Sequence, residues 1–283
     1  MSKKNELIKA LREKTGAGFL DCKKSLEENN NEIEKAIEAL RKKGLAKASK
    51  KTDRAANEGA VGIYSNNSIT GLIKVNSETD FAAKSDTFLD FLDSLGQLVL
   101  DNNMNFNKSE FLKLNYENGT VQDYFNSMIA KIGENLILND LIIKYNKKSN
   151  YAFYIHNSYR NNIGKIISLI EYSSSTKDSD IETLTKNLCM HVAAMKPEAL
   201  DINYLDENLV ANEKKIQKEL ILNSGKPTNI VDKILEGKMK KFYSEVTLLN
   251  QSYILDQEKT IREVIDEYKK SNFKIISFEL ISL

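Results

Sequence analysis

The sequence predicts an α+β protein: an N-terminal three-helix bundle, a two-subdomain core of antiparallel sheets with helices, and an inserted antiparallel helical hairpin. Three observations carry this expectation. Residues 5–43 place apolar side chains at helical spacing between short polar breaks. A strand–strand–helix–strand pattern occurs twice between residues 60 and 280, which reads as sheets with helices on one face. Residues 201–243 interrupt the second copy with two amphipathic runs on either side of Ser224-Gly225-Lys226-Pro227.

Taken in order, Leu7, Ile8 and Leu11, then Leu20 and Leu26, then Ile33, Ile37 and Leu40 form three apolar stripes. Gly16 and Gly18 break the first helix from the second, and Asn29-Asn30-Asn31 separates the second from the third. Phe19 either closes this small core or projects from it. Residues 42–57 are rich in Lys and Ala, with no apolar face beyond Leu45, and read as a linker over 45–57. Lys47, Lys50, Lys51 and Arg54 are read there as solvated charge. No stacking aromatics are interleaved with them, which argues against a nucleic-acid site.

The first core copy takes strands at 60–64 and 69–75, a hairpin across Ser65-Asn66-Asn67, helices at about 86–101 and 120–137, and a strand at 141–145. The second takes strands at 151–155 and 163–172, a helix at 181–195 and a closing strand at 274–280. The expected domains are therefore 1–44, a linker at 45–57, core subdomains at 58–148 and at 149–200 with 244–283, and the hairpin at 201–243. Within the hairpin, Leu205, Leu209, Ile216 and Leu220 mark one helix, and Ile230, Ile234, Met239 and Phe242 the next. Gly225 suits the end of the first, and Pro227 the first turn of the second.

Composition narrows the function classes. At 283 residues, 41% apolar and 29% charged, the chain has the make-up of a globular protein. Forty-one basic against 40 acidic residues leave a net charge of +1, so no overall field favours DNA or an anionic membrane. No apolar run approaches the ~18 residues of a membrane span, and the first residues lead into an amphipathic helix instead of a signal peptide. A cytoplasmic location is expected. Cys22 and Cys189 are isolated thiols and suggest no disulfide framework.

A search for chemistry finds binding features and no catalytic set. Gly225-Lys226 lacks the upstream Gly and the Ser/Thr of a phosphate-binding loop, and Gly16-Ala17-Gly18 follows a helix where a dinucleotide fingerprint follows a strand. His156 and His191 have no metal-ligand spacing around them; His191, inside an apolar helix, reads as a core residue, and His156 as the end of a strand. Asp86, Asp90 and Asp93 share a helix face and read as solvated. No cofactor, metal or direct nucleotide binding is expected, and the chain reads as a binding protein and not an enzyme.

The most informative segment is Asn76-Ser77-Glu78-Thr79-Asp80-Phe81-Ala82-Ala83-Lys84, between a strand and a helix. Ser77, Thr79 and Asp80 suit the capping of a first helical turn. Phe81 has no such role. It either folds back as a hydrophobic staple or stands out as an anchor for another protein.

This segment resembles the second signature of the bacterial translation elongation factor Ts family. Leu11 to Gly18 with Asp21-Cys22-Lys23-Lys24 resembles the first signature, and Lys131-Ile132-Gly133-Glu134-Asn135 a core motif. Met190 to Pro197, the Ser224 to Pro227 turn and Glu236 to Phe242 continue the match in the family's order. The turn from Thr15 to Phe19 is also similar to the loop of ubiquitin-associated (UBA) domains, so the bundle is expected to be UBA-like. The resemblance implies a guanine-nucleotide exchange factor in translation elongation, whose partner is the GTPase elongation factor Tu. It implies that Thr79, Asp80, Phe81 and Ala82 enter a region beside the partner's magnesium and GDP, that Ile132 and Gly133 approach it, and that His156 faces the partner. No membrane or nucleic-acid partner is implied; a homodimer, or an assembly of two copies of each factor, is compatible with the hairpin. Members commonly carry a helix after the closing strand, whereas this sequence ends at Leu283.

Overall fold

A computed structural model describes residues 3–15, 17–117, 119–146, 149–224, 227 and 230–283. The expected breaks at Gly16 and Gly225-Lys226, and the side chains of Leu45 and Lys47, lie outside the described part. The chain divides into two compact units: residues up to 146 with 157–166 and 281–283, and residues 149–156 with 167–280.

The first unit opens with α1 (Lys3–Thr15), α2 (Phe19–Glu28) and α3 (Ile33–Ser49). Ile8, Leu11, Cys22, Leu26 and Ala36 are buried between them, and the Ser25 hydroxyl donates to the Ala36 carbonyl at 2.9 Å, tying α2 to α3. This core closes without Phe19, which is 47% exposed. Helix α3 also runs through Ser49, into residues expected to be linker. Ala48 is the reason: it is buried in the main core of the unit beside the sheet and its helices, so the segment is packed where composition suggested a solvated tether.

Strand β1 (Glu58–Ser65) pairs antiparallel with β2 (Ile69–Ser77). After the short α4 (Asp80–Ala83) come α5 (Asp86–Asn102), α6 (Lys108–Leu112), the two-residue strands β3 (Asn115–Tyr116) and β4 (Gly119–Thr120), and α7 (Val121–Ile132). Strand β5 (Leu136–Tyr145) then pairs antiparallel with β2. Helix α7 therefore stops five residues before the expected 137. Gly133, at φ +92°, ends it in the left-handed conformation that Gly adopts without strain, and Leu136 and Leu138 alternate into the core as strand residues. Phe88, Phe91, Leu92, Leu95 and Phe125 form the centre, with the Phe91 ring edge-on to Phe125 at 4.8 Å between centroids.

The aspartates of α5 are not simply solvated. Arg160 reaches Asp90 at 2.7 Å, Asp93 at 2.9 Å and Asp86 at 3.2 Å, and the Tyr64 hydroxyl donates to Asp93 at 3.0 Å. The Tyr64 ring packs on Gly96, where a Cβ would come within 2.3–2.4 Å of three ring carbons, so only Gly lets α5 sit this close to β1. Burial, reinforced by the Asp93 charge, pushes the Tyr64 phenol far above its ordinary range.

Strands β6 (Asn150–Arg160) and β7 (Ile163–Ser173) contribute residues to both units. In the first, Ile163 and Gly164 pair with Gly62 and Val61 of β1. Strand β6 continues past His156, its expected end, through Asn157 at φ +51°. In the second unit β7 also pairs with β10 (Lys274–Ser282). Helix α8 (Ser179–Met195) covers this sheet with Ile181, Leu184, Leu188 and Val192, against Leu248, Tyr253, Ile261 and Phe273. His191, in α8, is fully buried, as expected of a core residue. Its Nδ1 accepts from the Ile254 N–H at 3.3 Å, leaving Nε2 to donate to Gln251 Oε1 at 2.9 Å. The fold thus selects the neutral imidazole.

Helices α9 (Glu207–Asn223) and α10 (Val231–Val246) form the hairpin. Its inner face is Ile221, Val231, Leu235 and Met239 with Val210. Leu209, Ile216 and Leu220, expected to face inward, are 40%, 42% and 54% exposed. The stripe that packs is rotated: Val210, Glu213, Gln217 and Ile221 share one face, and Gln217 Nε2 donates to Glu213 at 2.7 Å within it. The remaining elements, β8 (Ser252–Tyr253), β9 (Asp256–Thr260) and α11 (Ile261–Asp266), had no expected counterpart because each is too short for periodicity.

Asp201, expected within the insert, is tied to the body by Arg262 at 2.7 Å and Asn250 at 2.9 Å. Replacing residues 207–242 with a short Gly/Ser bridge, which spares Asp201, should leave a cooperative thermal transition within about 5 °C of the parent. Loss of that transition would make the hairpin integral to the second unit. Burial also pushes His191 below the ordinary imidazole value of 6.5, so the unfolded chain protonates first. Its stabilising contribution is complete above about pH 6.5 and is lost as pH falls toward the lower folded value. The melting advantage of wild type over His191→Gln should therefore shrink between about pH 7 and 5.5.

Candidate partner-binding site

Helix α4 is a single turn, and its capping decides where Phe81 points. Thr79 is the N-cap: its Oγ1 accepts from the Ala82 N–H at 3.2 Å. Beneath it the buried Ser77 hydroxyl donates to the Thr79 carbonyl at 2.9 Å. Ala82 and Ala83 turn into the core, and with that side of the turn committed, residue 81 must face outward. Phe81 is 85% exposed, the most exposed large apolar side chain among the described residues. The staple alternative is thereby eliminated. Beside it Asp80 accepts from Lys84 at 2.6 Å, a hydrogen bond that holds the Asp80 carboxyl below its ordinary 3.8 and lifts the Lys84 ammonium above 10.5.

Ile132 and Gly133 end α7, and the next two residues join them to the Phe81 turn. Glu134 accepts from the Thr79 N–H at 2.9 Å and from the Thr79 hydroxyl at 2.6 Å. In return Glu78 accepts from the Asn135 N–H at 2.7 Å. Each loop thus supplies a carboxylate to the backbone of the other. A third segment, following α3, braces both. Lys51 donates to the Gly133 carbonyl, Arg54 pairs with Glu78 at 3.4 Å, and the buried Asn135 amide donates to the carbonyls of Arg54 at 2.9 Å and Thr52 at 3.3 Å. Lys51 and Arg54, read from the sequence as solvated charge, are structural hydrogen-bond donors.

Of the expected site residues, the structure brings Thr79, Asp80, Phe81 and Ala82 together with Ile132 and Gly133. His156 belongs to the second unit, where it is exposed on β6 and the Tyr154 hydroxyl lies 3.2 Å from its Nδ1. Glu78, Glu134, Lys51 and Arg54 were not anticipated as parts of the site. Their partners lie 57, 55, 82 and 24 positions away, beyond any periodic signal, although Glu134 does directly follow Gly133.

The arrangement presents an apolar ring on a rigid polar base. Among the described residues no group of His, Cys, Asp or Glu is placed to hold a metal ion, and no helix is long and apolar enough to cross a membrane. The family model described as "Elongation factor TS" matches residues 78–283, which include Phe81, Glu134 and His156. Elongation factor Ts of Rhodospirillum centenum is 37% identical over 265 residues, covering 94% of this chain and 86% of that protein. The protein of the same name from Methylorubrum extorquens is 39% identical over 261 residues, covering 92% and 85%. That of Nitratiruptor is 38% identical over 278 residues, covering 96% and 90%. With a family match over most of its length and relatives aligned over more than nine-tenths of it, this chain belongs to the elongation factor Ts family.

Proposed function

We propose that this chain is a guanine-nucleotide exchange factor for elongation factor Tu: it binds the GDP form, promotes release of GDP with its magnesium ion, and lets GTP bind. It makes and breaks no covalent bond and binds no nucleotide itself. Phe81, with Asp80 beside it, is the wedge that enters the partner near the magnesium and phosphate pocket; Ile132 and Gly133 flank it, and His156 provides a contact from the second unit. The observation that supports this reading most is the 85% exposure of Phe81 on a turn whose every backbone end is tied down. A ring held out on a fixed backbone loses little conformational freedom when a partner covers it.

Thermodynamics sets the scale. If the factor weakens GDP binding, GDP weakens factor binding by the same ratio, so exchange passes through a ternary complex that resolves either way. Burial of one Phe contributes roughly 1.5–3 kcal/mol, comparable to the ~1–3 kcal/mol typical of coupling between sites. One ring therefore supplies much of the antagonism.

Catalytic amounts of the protein should accelerate release of labelled GDP from elongation factor Tu of the same source, while the isolated chain retains no GDP. Phe81→Ala should shift the melting temperature by less than about 2 °C, because the ring has little folded environment to lose. Exchange should fall at least ~30-fold, the equivalent of a hot spot of ~2 kcal/mol. Asp80→Ala should cost less, since water replaces part of a polar contact. Thermal melts and stopped-flow GDP release on one preparation decide the matter; a large fall in melting temperature with exchange intact would make Phe81 structural.

A further inference from the structure

We infer that Glu134 is a positioning residue for the exchange step, acting through Thr79 to hold the Phe81 ring in its outward orientation; this rests on the reading of Phe81 as the wedge. Three features of the geometry carry it. Glu134 is the sole group accepting from Thr79 among the described hydrogen bonds, and it takes both donors of that residue, the N–H at 2.9 Å and the hydroxyl at 2.6 Å. Because the Thr79 hydroxyl proton is committed to Glu134, its lone pairs are turned toward the Ala82 N–H, which they meet at 3.2 Å. The cap of α4 thus depends on a carboxylate 55 residues away.

The helix so capped has four residues. A single turn does not sustain itself: nucleation fixes several dihedrals for one hydrogen bond, so α4 persists only while its cap and its two buried alanines hold it. Phe81 itself makes almost no contact that would fix its direction, being 85% exposed. Its aim is therefore set by the backbone beneath it, and that backbone by Glu134. Glu134 stands outside the core, half-buried at the end of α7, and it is anchored in turn because Lys51 holds the preceding Gly133 carbonyl and Glu78 holds the following Asn135 N–H. A charged acceptor shared by two donors is stronger than a neutral one, which is why the amide of Gln would serve poorly here: one of its two arms is a donor facing donors.

The expected outcome is a loss of exchange without a loss of fold. Glu134→Gln should leave the thermal transition cooperative, and its exchange rate, expressed as kcat/KM for GDP release from elongation factor Tu, should fall about tenfold, the scale of one charge-assisted hydrogen bond. Thr79→Val, which removes the hydroxyl that Glu134 accepts and that caps α4, should resemble Glu134→Gln. The decisive comparison is a double-mutant cycle: in a Phe81→Ala background Glu134→Gln should change exchange by less than about twofold, because there is no ring left to aim.

A second readout needs no partner. The sequence contains no Trp, so Phe81→Trp introduces a single reporter at the tip of the turn. Adding Glu134→Gln to it should lower the time-resolved fluorescence anisotropy of that indole; unchanged anisotropy overturns the positioning role, whatever exchange does. A tenfold loss that persists in the Phe81→Ala background also overturns it, since Glu134 would then act without the ring. If Phe81→Ala leaves exchange intact, the wedge reading fails and the positioning role in exchange falls with it, while a drop in anisotropy would still show Glu134 to be the clamp of the turn.

Discussion

The first unit depends most on the exchange of carboxylates between two loops. Glu78 leaves the end of β2 to accept the Asn135 N–H, and Glu134 leaves the end of α7 to accept the Thr79 N–H and hydroxyl. These loops join different strands of one sheet to different helices, so without the exchange each would carry its own unsatisfied helix-end and strand-end donors. Pairing them reciprocally solves both at once and fixes the distance between α4 and the end of α7. The residues after α3 then dock on the same junction through Lys51, Arg54 and the Asn135 amide, so the N-terminal bundle is attached through hydrogen bonds as well as through Ala48.

That rigidity bears directly on an exposed aromatic. A mobile Phe81 would lose conformational entropy when a partner covered it, and that loss would be subtracted from the affinity the ring contributes. Here the backbone of residues 79–85 is already fixed: Thr79 caps α4, Ser85 caps α5 at 3.3 Å to Phe88 N–H, and Ala82 and Ala83 are buried between them. Only the side-chain torsions of one residue remain to be ordered, and an aromatic ring has few. The polar groups that do this work sit at the rim, where water competes, and individual exposed ion pairs such as Asp80–Lys84 contribute at most about 1 kcal/mol. Precision comes from several bonds converging on one short turn.

How much of this was legible in the sequence follows from what each residue had to announce itself with. The bundle, the two strand–strand–helix–strand copies and the hairpin were visible because their apolar residues repeat at periods of 3.6 or 2 over many positions. The end of α7 was misjudged because Ile132, Leu136 and Leu138 extend an apolar pattern through Gly133, and only the left-handed φ of that Gly separates helix from strand. In α9 the most apolar residues, Leu209, Ile216 and Leu220, form a regular stripe of their own, so hydrophobicity pointed to the face that α10 does not cover. At the site, Phe81 stood out as an aromatic with no capping task. Its supports were silent: Glu134, Lys51 and Arg54 look like ordinary surface charge until the chain closes and gives each a backbone group to satisfy.

Charged residues at these junctions are structural partners even where they stay in contact with water. Arg160 shows the same principle away from the site, gathering Asp86, Asp90 and Asp93 from one face of α5 and raising its own already high proton affinity through those hydrogen bonds. Removing it would leave three like charges on one helix face with no cation among them, and Asp93 is also the acceptor of the Tyr64 hydroxyl that lies over Gly96. The near-equal 41 basic and 40 acidic residues leave a net charge of +1. With so small a net charge, the surface keeps little net field for long-range attraction. Recognition of a partner must then be decided at short range by shape, which is the task an exposed ring on a clamped turn is suited to perform.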